Sequence, residues 1–133
     1  MTSDELIERF SLFDDWEERY AYIIQMGRKL PAFPEAERTE ANKVRGCVSQ
    51  VWMVSEQRGD CIDIQGDSDA FIVKGLVAIL LALYSGLTPQ EIAAVDVEKV
   101  FADLDLADHL TPNRRNGFFS MVQRIRAFGN QAE

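Results

Sequence analysis

Between Ala70 and Tyr84 the chain is apolar on every side, interrupted only by Lys74 and Gly75. A run of that length reads as a helix, and a helix without a polar face has to be covered by other parts of the chain. It is shorter than the roughly 20 residues that cross a bilayer, so it predicts a buried central helix rather than a membrane span. A chain of 133 residues has room for one core of this kind, so the expectation is a single domain over residues 1–133.

The flanks supply the covering elements. Leu6, Ile7 and Phe10 share one helical face, and Phe13, Trp16, Tyr20, Ile23, Ile24 and Gly27 continue at spacings of three and four. Ser11 or Asp14 is the expected cap of the second of these helices, and Pro31 and Pro34 stop it. Leu30 to Ala41 then reads as an irregular surface excursion.

From Asn42 the pattern turns to strand. Lys43-Val44-Arg45, Gln50 to Ser55 and Cys61 to Gln65 predict a hairpin extended to about three antiparallel strands, with Arg58-Gly59-Asp60 as a turn. Gly46 to Ser49 reads as the loop joining the first two. Asp67-Ser68-Asp69 offers a cap for the apolar helix, and Gly86 suits its left-handed end. Thr88-Pro89-Gln90-Glu91 is a capping box, Asp96 caps a short helix, and Thr111-Pro112 opens a last one that Gly129 is expected to end. Helices, a small sheet and more helices make an α+β domain.

Charge and residue content remove whole classes of function. Lys and Arg number 14 against 22 Asp and Glu, a net charge of −8, which repels nucleic-acid backbones. The N-terminal residues are charged and amphipathic rather than a secretory signal, so the expected compartment is the cytoplasm, where Cys47 and Cys61 stay reduced. There is one histidine, His109, no glycine-rich phosphate loop after a strand and no serine in a nucleophile elbow.

What remains is Cys47. A lone cysteine is either a small buried hydrophobe or a reactive thiol. Gly46 allows close backbone approach and Arg45 brings a positive charge, and both are expected to favour the thiolate. One thiolate suffices to receive a sulfur atom from another thiol. Apolar neighbours such as Trp52 or Val48 are expected to shelter it. Cys61, alternating with Asp63 on a strand, reads as structural, and His109 as a loop or cap residue. Arg114 and Arg115 sit at a helix start against the dipole, which points to a carboxylate partner or to ordinary solvation.

Lys43-Val44-Arg45-Gly46-Cys47-Val48-Ser49-Gln50-Val51-Trp52 resembles the cysteine signature of the SufE family of sulfur acceptors. The resemblance continues through Gln65 to Asp69, Ile72 to Leu76, Leu87 to Ile92, and His109 to Arg114 with Gly117; upstream, Leu30-Pro31, Glu37 to Glu40 and Asn42 also fit. It implies a fold similar to the IscU-type scaffold proteins and a role as carrier and activator rather than independent enzyme. Cys47 would be the persulfide acceptor, supported by Arg45 and Gly46. Asp69 would lie near the partner-contacting region, and Arg114 matches a recurrent family position. The implied partner is a SufS- or CsdA-like cysteine desulfurase, which carries the pyridoxal phosphate; this chain would need no cofactor of its own. Sulfur would pass on to an iron–sulfur scaffold such as SufBCD. Two alternatives stand beside this: a metal or cluster scaffold using Cys47, Cys61, His109 and a carboxylate such as Asp69, and a regulatory module that activates a desulfurase by contact alone.

Overall fold

The computed structural model describes residues 3–131 apart from residue 48. Helix α1 (Ser3–Ser11) leads into α2 (Trp16–Arg28), followed by two short 3-10 turns at Glu35–Glu37 and Glu40–Asn42. Strands β1 (Val51–Arg58) and β2 (Cys61–Ser68) form the sheet, and helices α3 (Phe71–Tyr84), α4 (Pro89–Ala94), α5 (Val97–Asp103) and α6 (Pro112–Gln131) complete the chain. The class is α+β, as the sequence predicts.

Helix α3 is the centre. Leu76, Val77, Ile79, Leu80 and Tyr84 have no exposed surface, and each such aliphatic side chain contributes roughly 1.5–3 kcal/mol by leaving water. Helix α2 lies on one flank so closely that a β-carbon at Gly27 would come within 2.7 Å of the Gly75 backbone nitrogen. Strand β2 covers another flank, with Gly66 packed under Val77.

The hairpin is regular from Val51 opposite Ser68 to Arg58 opposite Cys61. It has two strands, not three. The expected strand at 43–45 shrinks to a single bridge between Lys43 and Trp52, with the Val44 N–H donating to the Val51 carbonyl at 2.8 Å. A 3-10 turn precedes it and the turn at Arg45-Gly46 cuts it off, leaving no length for a ladder.

Three expected helix ends also move. Asp15, rather than Ser11 or Asp14, caps α2: its carboxylate accepts the Glu18 N–H at 2.9 Å, while Glu18 accepts the Asp14 N–H at 3.2 Å. The stretch Asp67-Ser68-Asp69 does not cap α3, because β2 runs through Ser68 and the cap position falls to Ala70 without a side-chain bond. Helix α6 passes through Gly129, whose bare α-carbon packs against Ile92 of α4 instead of ending the helix. The capping box at Thr88 and Glu91 and the Asp96 cap form as predicted.

Candidate functional site

Gly46 has φ +90, a left-handed conformation that turns the chain sharply after Arg45. A β-carbon there would also collide with Ser120 Oγ on α6. The turn lays Cys47 on that helix, where the thiol donates to the Gly117 carbonyl with Sγ and oxygen 3.5 Å apart. About two turns beyond Gly117 on α6, Arg124 donates to the carbonyls of Ala41, at 2.8 Å, and Lys43, at 3.5 Å. Positions 117, 120 and 124 lie on one helical face, so a single stripe of α6 seats the whole approach to the cysteine. Beyond the loop, the Gln50 N–H donates to the Asp69 carboxylate at 3.0 Å and the Asp69 N–H to the Gln50 carbonyl at 3.3 Å. The loop is therefore tied down at both ends and crosses α6 in between.

Beside Sγ opens a cleft of about 280 Å³. Its apolar walls are Val73 and Leu76 of α3 and Phe118 and Met121 of α6; Ser49, Thr111, Asn113 and Arg114 add polar groups. Trp52, one of the two apolar neighbours expected for Cys47, is not among them. Trp52 lies instead under the Arg38 guanidinium, 5.1 Å from its ring centre, and Val48 is outside the described residues.

Electrostatics correct a second expectation. Burial pushes the Cys47 thiol above the usual range for cysteine, and no charged group offsets it. Arg45 points into solvent and forms no ion pair among the described residues. The resting group is a sheltered neutral thiol rather than an activated thiolate.

The other predicted residues scatter. Asp69 is exposed and anchors Gln50 rather than lining the cleft. Arg114 does line it, half-buried, and among the described residues neither it nor Arg115 has a carboxylate partner. Arg115 reaches only the Ala107 carbonyl, at 3.5 Å. His109 stacks on Trp16 with ring centres 4.3 Å apart and sits 3.3 Å from Asp105. Cys61 opens β2 opposite Arg58, at the turn end of the hairpin. Among the described residues no group of three or more histidines, cysteines and acids converges as a metal site would require, so the set Cys47, Cys61, His109 and Asp69 does not assemble.

One charged cluster has no counterpart in the sequence reading. Asp67 is buried, paired with Arg38 at 2.5 Å and Lys74 at 3.2 Å. It ties the excursion after α2 to both the hairpin and α3.

Comparison with known proteins agrees with the resemblance. Residues 4–128 match the family described as SufE, Fe-S metabolism associated domain. The chain belongs to the SufE family. An uncharacterized SufE-like protein of Rhizobium meliloti is 47% identical over 132 residues, covering 96% of this chain and 94% of that one. Another, from Rhizobium etli, is 50% identical over 127 residues, covering 92% and 86%. The solution structure of a hypothetical protein from Thermus thermophilus shares the fold, with a TM-score of 0.80 at 20% identity over 98% of this chain and 94% of that one. SufE membership places the chain in iron–sulfur metabolism and in sulfur transfer in general terms. Among the described residues no helix is long and apolar enough to cross a membrane.

The residues that local reading missed are Ser120 and Arg124, and the part played by Gly117. Their signal is the spacing 117, 120 and 124 on a helix that follows the cysteine by seventy positions, which no window around Cys47 contains.

Proposed function

We propose that this SufE-family chain is a sulfur carrier whose acceptor is Cys47. The observation that carries the reading is the pairing of a half-buried thiol with an adjoining cleft that is apolar on two sides and large enough for further atoms. A persulfide is lost readily to reductants and oxidants in water, so a carrier benefits from a seat of this kind.

The donor is a pyridoxal-phosphate cysteine desulfurase of the SufS or CsdA kind, holding sulfur as an anionic persulfide on its own cysteine. A bond forms between Cys47 Sγ and the outer sulfur while the donor's sulfur–sulfur bond breaks, by the chemistry of thiol–disulfide exchange. The proton given up by Cys47 ends on the departing donor thiolate. Charge and electrons balance, and neither oxidant nor reductant enters. A resting neutral thiol fits this scheme, because ionisation is needed only when the donor is present. The seat on Gly117 has to be left for the attack and regained afterwards, with Gly46 as the turning point. Clearing the donor's persulfide raises its turnover, and the sulfur then passes to an iron–sulfur scaffold such as SufBCD. The chain itself contributes a thiol and a shelter and needs no bound cofactor for either.

Incubation with desulfurase, pyridoxal phosphate and cysteine, followed by mass spectrometry, tests the reading. Wild type gains the mass of sulfur and Cys47→Ser does not. Sulfur retained on Cys47→Ser and absent from Cys61→Ser would transfer the role to Cys61. Stimulated alanine production that survives Cys47→Ser would favour activation by contact alone.

A further inference from the structure

Gly117 lies inside α6, where glycine costs about 1 kcal/mol relative to alanine. Most other packed glycines of this chain have an evident reason. A β-carbon would run into backbone at Gly27 and Gly75, into Val77 at Gly66 and into Ser120 at Gly46. At Gly117 the three nearest atoms it would meet all belong to Cys47, Sγ at 3.4 Å and Cα and Cβ at 3.8 Å, which is ordinary contact. Nor does Gly117 adopt a left-handed backbone. Neither the fold nor the bare thiol therefore requires a glycine here.

A thiol carrying a second sulfur has a different requirement. The new bond extends the side chain by about 2.05 Å. With alanine at 117 the α6 side of Sγ is already at contact distance, so an added sulfur is driven away from the helix and toward water. We propose that Gly117 is a positioning residue for the loaded carrier: its missing β-carbon reserves, between Sγ and α6, the room in which the second sulfur is held out of solvent. The proposal rests on the sulfur-acceptor reading above and extends it to the state after transfer. Val73 and Leu76, on the α3 side of the same cleft, close the space opposite.

The test loads wild type and Gly117→Ala with inorganic polysulfide, which needs no desulfurase, and follows loss of the added sulfur in dithiothreitol by mass spectrometry. The expected result is roughly tenfold faster loss from Gly117→Ala, since reactivity follows exposure, while alkylation of its unloaded thiol stays within about twofold of wild type. Adding Val73→Ala to Gly117→Ala restores the lifetime by returning volume from the facing wall. Thermal melting checks the fold, with Gly117→Ala expected at or above wild type. Should it melt lower, Val73→Leu decides, because it fills the same space from α3 and shortens the lifetime without touching α6. Unchanged sulfur lifetime in a folded Gly117→Ala, or in Val73→Leu where that variant decides, overturns the proposal. So does failure of Val73→Ala to rescue. If the desulfurase never loads wild type while the polysulfide results hold, the donor assignment fails and the role of Gly117 stands.

Discussion

The two cysteines differ in their surroundings, and nearby charge is not what separates them. Cys61 has a cation across the strand, since it pairs in register with Arg58, yet it sits at the turn end of an exposed hairpin. Cys47 has an arginine beside it in sequence that turns away, and what it has instead is a helix under its sulfur and a cleft alongside. Both are free and half-buried, so exposure alone does not separate them. The difference teaches that what sets Cys47 apart, and what the proposed carrier role rests on, is room and shelter at the thiol rather than a charge that ionises it at rest.

The sharpest break in that contrast is all-or-none. Cys47→Ser should abolish the stimulation of alanine production by a desulfurase, and Cys61→Ser should leave it intact; equal loss from both would erase the distinction. Next come the ion pairs at the two ends of the hairpin. Asp67 keeps 6% of its side chain exposed between Arg38 and Lys74. Asp67→Ala should cost about 3 kcal/mol in urea unfolding, the low end for a broken buried pair because both cations stay partly in water. Asp63→Ala at the Cys61 end removes the Arg58 pair, 41% exposed on the acid side, and should cost less than about 1 kcal/mol.

A smaller effect should separate the thiols directly. Asp69→Ala removes the bond to the Gln50 N–H and loosens the base of the Cys47 loop. Losing about 1 kcal/mol of restraint should speed alkylation of Cys47 around fivefold and leave Cys61 as it was. Last is the pH profile. Burial favours the neutral Cys47 thiol, so its alkylation rate should keep rising above the pH at which a small free thiol levels off. The folded pKa lies above the unfolded one. Its contribution to stability is therefore full below the unfolded pKa and lost as pH rises through the folded value, and Cys47→Ala should remove that part of the alkaline decline.

Strong local signals were legible in the sequence. The apolar run 70–84 gave the central helix, the Thr88 box gave the start of α4, and Gly46-Cys47 gave a loop with a candidate thiol. Failures came where several local solutions compete or where the partner is remote. Ser11, Asp14 and Asp15 are all chemically able to cap α2, and only the chain path selects Asp15. Asp67 reads as a cap by type, yet continued pairing carries β2 past it and two distant cations claim its carboxylate. The Cys47 seat is the extreme case, because Gly117 and Arg124 become its neighbours only once α6 folds back across the loop.

The backbone contact between α2 and α3 reaches further than its own interface. Gly75 lies about 160° around α3 from Val73, which walls the cleft together with Leu76. Any side chain at Gly27 or Gly75 has to push the two axes apart, and rearranged rotamers cannot absorb that displacement. Sequence drift at either position would therefore be felt on the far side as a change in the calibre of the cleft, which makes two residues remote from the sulfur guardians of its fit.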